Sequence, residues 1–538
     1  MPGKAEPQPS GGRERYILEG FGAGIISEAS MSRTNIPDTA CLCANNVEFW
    51  PVGTITKRPG KTYRNTGTQL SGSVIGVYQW WSNAGSNYVM VFTAASGTVS
   101  GSVAYMSPSS LTTATWTNIT SGGALNWNPE SNDTITTETF GGSAFFCNGI
   151  KPILTWNTTE CCAVTTAPTG AVCIRSYKNY LFVANYEDAT GRHYSRIRWS
   201  DPGDGHTWPD ANYMDLDGDD GDYISGMEIL GNELIVFKER KILAVTYVGG
   251  QYTFYAEGRQ SGVGCAAQGS IVPIFSELCF YGIENFYSFT GRDVESLGDN
   301  IKDVLINSII PTYRDGIRGT MFEEKNQIWW AVPITSTTAS GNTDILVLDY
   351  EQNGWTAHSG ELASFTWYSQ TLDQTFGSLG LSYATYDYEW GTRQFLGNAS
   401  LILAGTYNGF IVDNGTAGAT TDLGVAYTGL WRSRWVDFNH PDINKRVVRM
   451  TLFVDSEVHA EEDDYNLTVE VYTDWDETTP DSTHTISLYG TTPIIERRID
   501  FTTTCRAMQL VLKTTGSGEG FTVHRIVIEY IPKGRTQV

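Results

Sequence analysis

A short hairpin recurs seven times along this chain, and a chain made that way has few folds open to it. Each instance reads apolar strand, polar turn, apolar strand. The stretches are 85–107, 141–156, 178–200, 231–250, 276–291, 325–355 and 398–415. They begin about 40 to 70 residues apart, the scale of a four-stranded blade with variable loops. One hairpin cannot bury its apolar face alone. Packing blades face to face around an axis covers both faces of each and leaves short, protected edges. The spacing predicts an all-β fold with a β-propeller of six to eight blades over 61–425. Continuous apolar runs such as "ELIVF" and "DILVLDY" read as innermost strands, buried on both faces. One stretch, 296–315, reads as a helix, with Ile301, Val304, Leu305 and Ile309 at helical spacing and Pro311 as a stop.

From about residue 426 the pattern changes. Long strands with period-2 alternation cover 430–438, 445–457, 465–475, 493–501, 505–516 and 521–532. Alternation with one polar face predicts an antiparallel β-sandwich over 426–538. The early strands in 16–60 are its expected partners, which would place both ends of the chain in one platform domain. Residues 1–15, rich in Pro, Gly and charge, read as a disordered or docking arm.

Charge narrows the function. Thirty-six Lys and Arg against 59 Asp and Glu leave a formal net charge of −23. Such a chain does not hold DNA by neutralising phosphates. It suits a soluble surface past which nucleic acid slides without sticking. Nine cysteines, including Cys41, Cys43 and the adjacent Cys161 and Cys162, form no zinc or disulfide pattern. They read as free thiols of a protein made and assembled in a cytoplasm. No run approaches a membrane span, and the N-terminal stretch carries no secretory apolar region.

Four features are candidates for chemistry. "RWSDPGDGHTWPD" (198–210) approaches the Asp box of sugar-processing propellers, Ser-x-Asp-x-Gly-x-Thr-Trp. Counted back from Gly205, Thr207 and Trp208, the Asp position holds Gly203 and the Ser position Asp201, so the acids are out of register. The stretch reads as a capped turn with Trp208 packed between blades. A sialidase would need convergent arginines; Arg192, Arg196, Arg198, Arg240 and Arg259 are candidates, but nothing in their spacing brings them together. An EF-hand reading that starts at Asp217, with Asp219 at position 3 and Glu228 at position 12, fails because Gly221 and Asp222 occupy positions 5 and 6. It leaves an acidic turn at 215–222 as a weak calcium candidate. The aromatic insertion 365–390 reads as a contact or closing loop, or else as a sugar-stacking surface. No catalytic, cofactor-binding or metal residue is assigned, no cofactor is expected, and the chain reads as non-enzymatic.

Taken in order, "NNVEFWPVGTITKRPG", "RIRWSDPGDGHTWP", "GDYISGMEILGNELIVFKERKILAVTY", "GSIVPIFSELCFYGIENFYSFTG" and "NQIWWAVP" with "ILVLDYEQNGW" are similar to the tail nozzle and tail hub proteins of short-tailed bacteriophages, the tail-tubular and packaged-DNA-stabilisation type. The resemblance runs from about residue 40 to the C-terminal end. It implies a structural virion protein in a homo-hexameric ring below the portal and adaptor, the head-to-tail connector. That ring would carry tail fibres or spikes, and it would retain and conduct genomic double-stranded DNA without specific binding. The alternatives are a propeller glycosidase or lectin acting on host-surface glycan, and a fibre attachment protein without a channel role.

Overall fold

Each of the seven hairpins forms the two middle strands of a four-stranded antiparallel unit. The computed structural model describes residues 12–28, 31, 35–64, 69–95, 102–106, 116–120, 127, 129, 133–218, 220–250, 253–334, 341–371, 398–415, 419–456, 465–514 and 519–533. Five units are separate sheets of consecutive strands: blade 1 from Val74–Trp81 to Thr117–Asn118, blade 2 from Thr136–Phe140 to Cys161–Ala163, blade 3 from Cys173–Tyr177 to Tyr213–Asp215, blade 4 from Ile224–Leu230 to Phe254–Ser261 and blade 5 from Val272–Ile274 to Val294–Ser296. Blade 6, from Arg318–Phe322 to Gly354–Ser359, is one end of a ten-stranded sheet. Blade 7 takes Leu362–Thr371, Asn398–Thr406 and Ile411–Asn414 from late in the chain and its outermost strand, Lys61–Tyr63, from before blade 1. That exchange clasps the ring shut.

Apolar clusters between neighbouring blades follow the same circle. Blade 1 packs on blade 2 through Trp80, Phe92, Phe146 and Trp156. Blades 2 and 3 share Phe145, Leu181 and Trp208, blades 3 and 4 Phe182, Met227 and Val236, and blades 4 and 5 Phe237 and Phe280. Phe286 and Trp330 join blades 5 and 6, with ring centroids 4.7 Å apart. Trp329, Ile345 and Ile402 join blades 6 and 7, and Tyr368, Leu403 and Val89 return to blade 1. The fold is an all-β propeller of seven blades with a β-sandwich platform.

Two expectations within the propeller are corrected. The runs "ELIVF" and "DILVLDY" are the second strand of blade 4 and the third of blade 6, not innermost strands. A middle strand has a hydrogen-bonded neighbour on each edge and a blade on each face, so it is the most apolar. The innermost strand faces the axis on one edge, and in blades 2, 3, 4 and 6 it carries a charged residue. The stretch 296–315 is no α-helix: short 3-10 turns occupy Asp299–Ile301, Ile306–Ser308 and Pro311–Gly316. Ile301, Ile306 and Ile309 are buried while Val304 is exposed, as one helical face would have it, but the backbone is extended at Ile309 and Ile310 and breaks the run.

In the platform, one sheet runs Ile494–Asp500, Asn444–Asp455, Thr522–Lys533, Ile55–Lys57, Val47–Glu48, with Glu14–Glu19 also on Thr522–Lys533. The end of the arm expected over 1–15 is corrected: Glu14 and Arg15 begin a paired strand, because Tyr16 and Leu18 alternate into the core, while 1–11 lie outside the described residues. The facing layer runs Ala40–Asn45, Gly429–Ser433, Met508–Thr514, Asn466–Thr473, Ser482–Ser487. Met450, Leu452 and Val454 meet Val469, Leu510 and Leu512 between the layers. Ala40–Asn45 also pairs in parallel with the last strand of blade 6, at Asn45 and Ala357. One ten-stranded sheet therefore passes without a break from propeller to platform.

Candidate functional site

The innermost strands of blades 2, 3 and 4 bring three charges together at the axis. Arg175 donates to Glu228 through Nε at 3.1 Å and Nη2 at 2.8 Å. Its Nη1 lies 3.8 Å from Glu138 Oε2, and Ser176 Oγ donates to Glu138 Oε1 at 2.9 Å. Burial pushes the Glu138 carboxyl up, against the opposing pull of Arg175. Burial also works against the Arg175 charge, but Glu228 and Glu138 more than offset it and push its pKa up. Two carboxylates on one guanidinium leave a local charge of −1. A carboxyl raised by burial is suited to donating a proton.

One end of the axis is bridged. The turn Pro311–Gly316, ahead of blade 6, sends Arg314 to Glu239 of blade 4. Arg318 donates to Asp133 O at 3.3 Å and Thr134 Oγ1 at 3.2 Å, at the entry to blade 2. Asn342 Nδ2 donates to Gly316 O at 2.8 Å, and Asn342 N to Tyr407 Oη of blade 7 at 2.8 Å. Blades 2, 4, 6 and 7 are thus tied together by one segment across the mouth.

The stretch 198–210 is a braced turn. Asp204 accepts from His206 N at 2.8 Å and Thr207 Oγ1 at 2.8 Å. Trp208 is buried, and its Nε1 donates to Gly205 O at 2.9 Å. A Cβ on Gly205 would sit 2.6 Å from Phe145 Cζ, so glycine is needed for blade 2 to approach.

The five candidate arginines are engaged separately, apart from two that share a cleft. Arg192 donates to Asn185 and to the carbonyls of Gly149 and Gly170. Arg196 binds Asp215, Arg198 binds Trp208 O and Asp210, and Arg259 binds Glu233. Arg240 is fixed by its backbone, whose amide donates to Asp222 Oδ2 at 3.0 Å. Arg192 and Arg196 line one cleft on the rim of blade 3.

At the acidic turn, Lys238 Nζ reaches both Asp220 oxygens at 2.9 Å, and Lys241 Nζ lies 3.1 Å from Asp217 and Asp220. These carboxylates are neutralised by lysine; Asp219 lies outside the described residues. Glu228, the last ligand of the rejected EF-hand, instead faces Arg175. Most of the aromatic insertion 365–390, its residues 372–390, also lies outside the described residues. Among the described residues, no three His, Cys, Asp or Glu side chains cluster as a metal site would require.

Sequence reasoning missed the Glu138–Arg175–Glu228 group, because its members sit one per repeat. The available signal was the strand before each hairpin: "TTETF", "CIRSY" and "ISGMEIL" each place a charge within an otherwise strand-like run.

No family model matches the chain, and no curated protein matches it. Among solved structures, the Pan2 WD40 domain of Neurospora crassa is 7% identical with a TM-score of 0.37, covering 68% of this chain and 98% of that one. An exo-β-1,3-galactanase of Phanerochaete chrysosporium, with β-1,3-galactotriose, is 10% identical with a TM-score of 0.27 and covers 88% and 99%. A glycoside hydrolase is 9% identical with a TM-score of 0.23 and covers 86% and 100%. At such scores these likenesses carry no argument about what this chain does.

Proposed function

We propose that the chain is a structural wall protein of a short phage tail. Copies would form a ring below the portal and adaptor that retains and conducts genomic DNA and carries fibres or spikes. The observation behind this reading is the unbroken ten-stranded sheet, which makes propeller and platform one stiff block. A block without a hinge is what a pressure-bearing wall requires. Because Pro311–Gly316 bridges the propeller mouth, the conduit in this proposal lies between copies and not along one propeller axis. The charge of −23 suits such a wall, since DNA meets repulsion and few phosphate clamps. Labelling intact virions with an antibody to the platform tests the reading. Label at the tail below the head is expected; virions without label would overturn it.

A second reading, glycoside hydrolysis, has one observation in its favour: Glu138 and Glu228 are held on Arg175, and burial raises Glu138. Release of reducing sugar from a glycan, abolished in Glu138→Gln with folding intact, would favour it over the wall.

A further inference from the structure

The geometry points to a binding cleft for a neutral oligosaccharide on the rim of blades 3 and 4, apart from the axis and independent of either reading above. Two hollows of about 440 and 330 Å³ meet at Asp215, within the size range of small-ligand sites. Between them runs Tyr213–Asp215, a short outer strand that pairs with Arg196–Arg198. Three tyrosines stand out along this rim: Tyr194, Tyr213 and Tyr255 are 59%, 45% and 58% exposed.

The polar groups are set before any ligand arrives. Arg196 grips Asp215 with two hydrogen bonds, Nε to Oδ1 at 2.6 Å and Nη2 to Oδ2 at 2.9 Å. The same guanidinium lies 4.2 Å from the Tyr213 ring centroid. The Arg192 guanidinium, itself fixed by carbonyls, lies 6.0 Å from the ring of Tyr194. Rings backed by fixed arginines lose little freedom on binding.

This chemistry selects its ligand. The C–H face of a sugar ring lies well on the electron-rich face of an aromatic ring. A planar guanidinium–carboxylate pair offers donors and acceptors side by side, as vicinal hydroxyls require. An anionic sugar is disfavoured: Arg192 has only neutral partners, but Asp215, Asp217 and Asp222 outnumber the two arginines along the hollows, and the whole chain carries −23. Two hollows in series fit an extended ligand of several sugar units.

The test is calorimetric titration of the full chain with neutral gluco-, galacto- and manno-hexasaccharides, beside an oligogalacturonate of the same length. At least one neutral hexasaccharide is expected to bind, and the acidic one to bind more weakly. Tyr194→Ala with Tyr255→Ala should weaken binding about tenfold or more at an unchanged melting temperature, which is about 1.4 kcal/mol. Tyr194→Phe with Tyr255→Phe should keep most of the affinity, because the ring faces remain. No binding by any neutral hexasaccharide, tighter binding of the oligogalacturonate, or equal affinity in the alanine variant would overturn the proposal. So would a change in copy number in the alanine variant, which would mark the rim as a subunit contact.

Discussion

Arg58 and Asp422 meet in a two-pronged ion pair, Nη1 to Oδ1 at 2.9 Å and Nη2 to Oδ2 at 2.6 Å, at the seam of propeller and platform. Arg58 also donates to Asn46 Oδ1 at 2.9 Å and lies 4.1 Å from the Tyr427 ring centroid. Burial pushes the Asp422 carboxyl up, but its bonds to Arg58 and the nearby Lys61 charge outweigh this and hold it low. Removing one partner strands a buried charge. Asp422→Asn should therefore cost about 3 to 5 kcal/mol, read as a lower denaturant midpoint. An unchanged midpoint would take this pair out of the account of the seam.

His358 sits in the same seam, fully buried, with Nε2 3.3 Å from Val47 O and no hydrogen-bond partner for Nδ1. Burial first, then the Arg58 charge, hold its pKa well below the ordinary 6.5. The folded chain keeps the ring neutral where the unfolded chain protonates it. This contribution is full above about pH 6.5 and is lost as pH falls below it, by up to about 1.4 kcal/mol per pH unit. Urea titrations at pH 7.5 and 5.5 should show that loss, and His358→Gln should flatten it. An equal slope in both proteins would contradict the assignment.

Trp208→Ala should lower stability by about 3 to 5 kcal/mol, since the indole fills the space between blades 2 and 3. Thermal unfolding checks this; an unaltered melting temperature would mean the ring is not packed there.

Gly354 and Gly24 mark the closest approach of the N-terminal segment to blade 6. A Cβ on Gly354 would lie 2.1 Å from Gly22 O, and one on Gly24 2.2 Å from Trp355 N, where φ is also +70°. Gly354→Ala should destabilise by about 1 to 3 kcal/mol through overpacking. Gly258→Ala, at a strand position with open space around it and an ordinary φ, is the control for added bulk alone.

Much of the architecture could be read before any coordinates. The seven hairpins were legible because a two-strand repeat with a turn is a local signal, and each fell on the middle of a blade. The platform strands were legible through alternation: Asn444–Asp455 and Thr522–Lys533 carry one buried and one wet face. What stayed hidden was long-range. Nothing near Lys61 announces that it pairs with Asn414 to close the ring, nor does anything near Asn45 point to Ala357. The apolar runs misled because burial on both faces looks the same in a middle strand and an innermost one. The helix over 296–315 failed because apolar spacing alone does not distinguish a continuous helix from linked 3-10 turns. The axial group escaped for the same reason as the seam: Glu138, Arg175 and Glu228 meet only once the blades are in a circle.

The proposed wall is tested most directly by the mass of the particles this chain forms with a purified portal–adaptor complex, measured by mass photometry. The account predicts that about six copies join each connector as one closed ring. A chain that remains a single copy, with and without the connector, would contradict it.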